Sequence, residues 1–301
     1  MARDWNQTFN SWTKPASDTE EDKCANAETM IKDAIKADLE LSKMNIEIIP
    51  QGSYRNNTNV RANSDVDICV KLKDTFFYDL PQNPPKSAND FNIVPSSYTY
   101  SEFKNAVEVA LVNKFGRTSV ARGNKAFDIK ANTYRVEADV VPCFEHRRYF
   151  YTANGGYDYL SGIELRPDTG SRIINWPKQH YENGVSKNKE TGNKFKFTTR
   201  VFKRLRNEMK EQGVQSAEYV PSFLIECLIW NVPNNIFSSN NYFDLVREAI
   251  IHLYNSTKSE EGCSEWGEVN ELKYLFRQSQ PWTRQQANQF LIDAWNYVGY
   301  K

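Results

Sequence analysis

"IIPQGSYRNNTNVRANSDVDICVKL", residues 48–72, decides how the rest of the chain is read. It holds two apolar runs. The first leads into Gly52-Ser53, and the second carries Asp65 and Asp67 one residue apart. Side chains alternate faces along a strand. Asp65 and Asp67 therefore point one way, while Val66, Ile68 and Val70 point the other way into a core. Further on, "RVEADVVPCF" (135–144) repeats the arrangement: Glu137 and Asp139 share one face, with Val136, Ala138 and Val140 on the opposite one. If the two strands are neighbours, Asp65, Asp67 and Asp139 converge.

Three carboxylates with no basic residue among them repel one another, and a divalent metal is the usual resolution. Two Mg²⁺ ions about 4 Å apart can clamp a triphosphate and activate an attacking hydroxyl. A lone D-x-D is more often a pair of solvated residues on an open sheet face, and a lone Gly-Ser reads equally as a turn with a Ser N-cap. Together they are more specific. Gly52 permits close backbone approach, and Ser53 opens a helical turn whose N–H groups and hydroxyl can cradle phosphate. About twelve residues on comes a strand bearing D-x-D, and then an Asp on a further strand.

The composition narrows the classes. The 301 residues, with 7 Trp, 16 Tyr and 17 Phe, are enough for two lobes or one large domain with a sizeable core. The formal net charge is zero, which argues against a protein that coats nucleic acid nonspecifically, since that needs excess Lys and Arg. The five cysteines, Cys24, Cys69, Cys143, Cys227 and Cys263, form no CxxC and read as buried thiols in a reducing compartment. His146, His180 and His252 lie far apart without Cys partners, so no structural zinc site is expected. The start of the chain has no apolar signal region and no run reaches membrane-spanning length. A soluble cytoplasmic protein is the expectation.

Residues 18–44 read as a long helix with Ala27, Ile31, Ala34, Ile35 and Leu39 at helical spacing. "NIEIIP" (45–50) and "DVDICVKL" (65–72) read as strands. Residues 79–98 read as a loop, and 100–116 as a helix ended by Gly116. "AFDIKA" and "YRVEADVVPCF" read as two strands joined by a turn at Asn132-Thr133, and 149–181 as short strands and turns. "SKNKETGNKFK" (186–196) reads as polar and flexible, and helices follow from about residue 197. The expected organisation is a mixed α/β lobe over 1–175 and a helical lobe over 176–301, sharing a cleft. The basic stretch Arg200, Lys203, Arg204, Arg206 and Lys210, in which positions 200, 203, 204 and 207 share a helix face, reads as meeting either nucleic acid or nucleotides, and the zero net charge favours nucleotides.

"QGSYRNNTNVRANSDVDICV" together with "RVEADVVPCF" resembles the polymerase-β-like nucleotidyltransferases, whose pattern is Gly-Ser, then D-x-D, then a later Asp. More narrowly, the chain resembles the CD-NTase family. These are bacterial cyclic-oligonucleotide synthases related to cyclic GMP-AMP synthase and 2′-5′ oligoadenylate synthetase. The narrower likeness rests on a helix entered through "SDTEEDK", an acid followed by "VVPCF", and a helical C-terminal half. It implies an α+β fold, a polymerase-β-like core with a mixed sheet plus a C-terminal helical lobe, bilobal with a central cleft.

The resemblance also implies site roles. Gly52 and Ser53 would hold the donor triphosphate, Asp65 and Asp67 both metals, and Asp139 the metal that activates the acceptor hydroxyl. Lys203 and Ser222 match family positions that touch the donor phosphates. From the residues alone, Lys203 reads equally as a solvated helix face and Ser222 as an N-cap after Pro221. The implied activity is Mg²⁺-dependent (or Mn²⁺-dependent) joining of ATP, GTP or pyrimidine triphosphates into a cyclic di- or trinucleotide with release of pyrophosphate. A downstream effector in an antiphage system (CBASS) would sense the product, with no membrane and no obligate double-stranded DNA. The "VGYK" ending lacks the small terminal residue that some relatives present to a conjugating partner. Two alternatives stand beside this: nucleotide transfer to an RNA end, small molecule or protein, and a non-catalytic nucleotide-binding protein.

Overall fold

The computed structural model describes residues 3–15, 17–60 and 65–301. In chain order the helices are α1 (Trp5–Trp12), α2 (Asp18–Ala37), α3 (Gly52–Arg55), α4 (Tyr100–Phe115), α5 (Pro177–Glu190), α6 (Lys194–Glu211), α7 (Ser222–Trp230), α8 (Tyr242–Thr257) and α9 (Arg284–Val298). The strands are β1 (Ile46–Gln51), β2 (Val66–Asp79), β3 (Val120–Arg122), β4 (Phe127–Ile129), β5 (Ala138–Tyr151), β6 (Tyr157–Leu165) and β7 (Ile173–Asn175).

The chain forms two compact units. A sheet unit takes the described residues of Ser17–Arg55 and Arg61–Pro177. A helical unit takes those of Met1–Ala16, Asn56–Val60 and Lys178–Lys301. The sequence division at 175/176 misses two pieces: α1 and the short segment 56–60 both pack with the late helices. Neither carries a local sign of its partner. Phe9 of α1 is wholly buried in the helical core, and Thr58 is wholly buried in the same unit.

The sheet is mixed. β2 lies antiparallel to β1 and parallel to β5. The other edge of β5 is shared, with antiparallel β4 along Ala138–Val140 and antiparallel β6 from Phe144 to Tyr151. One face of β2 and β5 presents Val66, Ile68, Val70, Leu72, Ala138, Val140 and Phe144. It packs against Ala27, Ile31 and Ile35 of α2 and Phe103, Val107 and Leu111 of α4. Helix α4 is closed at its end by Gly116, as its sequence predicts, and at its start by a Thr99–Glu102 capping box.

Three local expectations need correction. Helix α2 ends at Ala37, not near residue 44, because the Asp38 carboxylate accepts from the amides of Glu40 and Leu41 and turns the chain. Leu39, expected in the core, is 83% exposed. The stretch 186–196 is helical on both sides of a turn at Thr191–Asn193. Its polarity is satisfied internally: Lys187 is buried and donates to the Val232 carbonyl and to Asn234 Oδ1. Finally, Cys69 and Cys143 are paired as a disulfide, while Cys24, Cys227 and Cys263 are free and buried. The pair stands diagonally on adjacent parallel strands, a relation that spacing along the chain does not reveal.

Candidate active site

The two parallel strands meet with Asp67 directly beside Asp139. The register continues on both sides, Gln51 of β1 opposite Asp67 and Asp128 of β4 opposite Asp139. Cross-strand partners share a face, so Gln51, Asp67, Asp139 and Asp128 form one row across four strands. Val66, Ile68, Ala138 and Val140, pointing the other way, fix that orientation by being buried. Asp65, one residue before β2, is exposed.

The electrostatics of the row are those of crowded carboxylates. Burial, then the charges of Asp139 and Asp65, push the Asp67 carboxyl up to about 6. Burial, then Asp128 and Asp65, push Asp139 up to about 6 as well, helped by a hydrogen bond with Asp128 and by Glu137. Two neighbouring groups that resist ionisation are a place where positive charge is missing. Hard oxygen donors suit a hard divalent cation such as Mg²⁺ or Mn²⁺, so the residues fit one. Among the described residues, no group of three or more His, Cys, Asp or Glu is placed so that it could hold a metal ion.

Gly52 explains why the first motif is tied to the second. Its φ is +70°, and a Cβ added there would lie 1.9 Å from Oδ2 of Asp67. Only glycine lets the backbone at the start of α3 come this close to the acid. Ser53, the next residue of α3, is half-buried. The structure thus brings Gly52, Ser53, Asp67 and Asp139 together in the sheet unit, with Asp65 leading into the same strand. Asp128 was missed at the sequence level. The signal was present, since "FDI" places a single acid in an apolar alternation.

Lys203 and Ser222 lie in the helical unit, and both have protein partners. Lys203 is 1% exposed, and its Nζ donates to Glu226 Oε2 (2.8 Å) and Thr58 Oγ1 (2.9 Å). Glu226 also accepts from Thr58 Oγ1 (2.7 Å) and pairs with His180 Nε2 (3.0 Å). Burial alone would push the Glu226 carboxyl up, but Lys203 and His180 hold it well below the usual carboxylate range. Ser222 begins α7 and its hydroxyl accepts from Arg206.

The basic face expected to meet nucleotides is largely committed elsewhere. Arg200 donates to the carbonyls of Thr13 and Asn57, Arg204 to that of Lys14, and Lys210 pairs with Glu218. A solvated basic face and a buried, paired one have the same helical spacing, so the sequence could not separate them.

Known proteins resemble the chain along its whole length. Residues 31–151 match the nucleotidyltransferase domain, and residues 182–299 match the cGAS/DncV-like nucleotidyltransferase C-terminal helical domain. The chain is 46% identical to the cyclic dipyrimidine nucleotide synthase CdnE of Cecembia lonarensis, covering 100% of both chains. It is 47% identical to the enzyme of the same name from Legionella pneumophila, covering 99% of both. Among solved structures, the CdnE cyclic dinucleotide synthase of Elizabethkingia meningoseptica with GTP and Apcpp matches with a TM-score of 0.80 at 38% identity. That match covers 98% of this chain and 99% of the other. The Rhodothermus marinus CdnE c-UMP-AMP synthase with Apcpp and Upnpp matches with a TM-score of 0.84 at 29% identity, covering 98% of both chains.

Proposed function

Because the chain belongs to the CD-NTase family of cyclic oligonucleotide synthases, we propose that it joins two pyrimidine nucleoside triphosphates into a cyclic dinucleotide. The observation that carries the chemistry is the Asp67–Asp139 register with Gly52 against the Asp67 carboxylate. The pyrimidine preference rests on the full-length likeness to two dipyrimidine synthases. The same likeness weighs against transfer to an RNA end, a small molecule or a protein, and against a non-catalytic role.

Asp65 and Asp67 would hold two divalent ions, Mg²⁺ or Mn²⁺, and Asp139 would share the acceptor-side one. When bound, the ions lower the pKa of the attacking hydroxyl and neutralise the departing pyrophosphate. The backbone at Gly52 admits the donor phosphates, and Ser53 donates a hydrogen bond to them. A ribose hydroxyl oxygen attacks the donor α-phosphorus, forming one P–O bond as the bond to pyrophosphate breaks. A second such step closes the ring, so two triphosphates yield one cyclic product and two pyrophosphates.

The row of acids orients the acceptor from a rigid strand, which fixes the in-line geometry. The product would act as a second messenger on a separate effector in antiphage defence, with no double-stranded DNA needed. Among the described residues, no helix is long and apolar enough to cross a membrane. The test is incubation with each labelled triphosphate and each pair, with Mg²⁺ or Mn²⁺, then phosphatase and mass spectrometry. A phosphatase-resistant product containing only pyrimidines is expected. A purine-only product overturns the base preference, and linear products alone overturn cyclisation.

A further inference from the structure

Lys104 of α4 is 1% exposed, and its ammonium has three N–H donors to satisfy. Three oxygens meet them. Nζ donates to the carbonyls of Gly123 (3.2 Å) and Asn124 (2.9 Å) and pairs with Asp168 Oδ2 (3.0 Å). Gly123 and Asn124 belong to the turn between β3 and β4, which is closed by a bond from the Gly123 amide to the Ala126 carbonyl (2.8 Å). The same turn is held by a second segment. Asn124 accepts at its carbonyl from the Asp168 amide (3.1 Å) and at Oδ1 from the Thr169 amide (2.9 Å). Arg122, at the end of β3, donates to Asn105 Oδ1 (2.9 Å) and pairs with Glu108, both on α4.

We infer that Lys104 is a positioning residue for Asp139: it fixes the β3–β4 turn, and that turn sets the register in which β4 meets the start of β5. Strands β3 and β4 have three residues each, too few to hold their place by ladder bonds alone. Burial of Phe127 and Ile129 decides which face of β4 turns inward. Apolar contact is non-directional, however, and leaves a strand free to slide along its neighbour. Directed bonds from a buried, fully paired cation remove that freedom. β4 pairs with β5 only at Phe127–Val140, Asp128–Asp139 and Ile129–Ala138. The first residues of β5 have β4 on one edge and β2 on the other, so the β4 register is one of the two edge restraints on Asp139. A slip there would also take Asp128 from its place opposite Asp139.

The catalytic consequence rests on the functional reading above, while the anchoring itself is tested without activity. In full-length Lys104→Met the side chain keeps its length and loses its bonds. Amide hydrogen exchange in peptides covering 120–130 should rise by about tenfold or more, with parental rates in peptides covering 46–51. kcat for cyclic product should fall by about tenfold or more, with KM for triphosphate within about threefold of the parent. The split is expected because Gly52, Ser53 and Asp67, on the donor side, are carried by α3 and β2. A non-hydrolysable triphosphate with Mg²⁺ should therefore raise the melting temperature of the variant as it does the parent's. Asp168→Asn removes the exposed partner of the pair and should move exchange and kcat the same way, less far. The double variant should add little to Lys104→Met, because both act through one turn.

Parental exchange over 120–130 in Lys104→Met overturns the anchor. Raised exchange there with parental kcat overturns its link to Asp139. Exchange raised equally in 46–51, with KM rising and the nucleotide-induced melting shift lost, also overturns it and leaves Lys104 a general support of the sheet. Should Lys104→Met fail to fold, Asp168→Asn decides by the same readings. If the parent makes no cyclic product, the functional reading fails, while the exchange measurement still decides the anchor.

Discussion

Replacing Gly52 by alanine separates the backbone's needs from the site's. The added Cβ would lie 1.9 Å from Asp67 Oδ2 and 2.9 Å from Cγ. Ordinary van der Waals contact is about 3.5 Å, so the carboxylate or the α3 backbone must move by about 1.5 Å. A displacement near 1 Å at a reacting centre costs about 10²-fold in rate. The left-handed φ of +70° adds about 1–2 kcal/mol of strain.

Gly116→Ala is the internal control. That glycine has φ +80°, and a Cβ added there would meet nothing within 4 Å, so the substitution carries the backbone strain without the steric displacement. Both variants should lose a few degrees of melting temperature. Only Gly52→Ala should lose about a hundredfold in cyclic product formed per minute, measured by chromatography at saturating triphosphate and Mg²⁺. Gly52→Ala turning over within about threefold of the parent, or Gly116→Ala losing as much activity, would refute the claim that glycine is needed there for close approach to the acid.

The remaining predictions concern the carboxylates. With its pKa raised to about 6, Asp67 binds a proton more readily folded than unfolded, so metal-free stability should fall as pH rises from about 4 through 6. Asp67→Asn should flatten that dependence and raise the melting temperature in EDTA at pH 7, the penalty removed being of order 3 kcal/mol at most. A lower melting temperature would show the charge to be stabilising. Asp128→Asn should bring the Asp139 titration midpoint of the metal-free protein down toward the ordinary carboxylate range, read by carboxyl ¹³C NMR; an unmoved midpoint would break the row at β4. A non-hydrolysable pyrimidine triphosphate should raise the melting temperature with Mg²⁺ and not in EDTA, by linkage. Equal shifts in both conditions would remove the need for metal in nucleotide binding.

What the sequence determined by itself is local and periodic. The alternation around Asp67 and Asp139 says which face is apolar, and apolar residues are buried wherever the strand goes, so the acids' common face was legible before any fold was known. The glycine that ends α4 is of the same kind. Tertiary structure alone decided who meets whom. Asp128 joins Asp139 because β4 chose that edge of β5, and Cys69 reaches Cys143 because β2 and β5 are adjacent and parallel.

The basic face of α6 is the sharpest case. Arg200 and Lys203 read as solvated or nucleotide-facing, yet they are buried against residues 57 and 58, nearly 150 positions earlier in the chain. A charge is tolerated in the interior only when a partner neutralises it. That partner can come from anywhere in the chain, so no local pattern around the charge announces it.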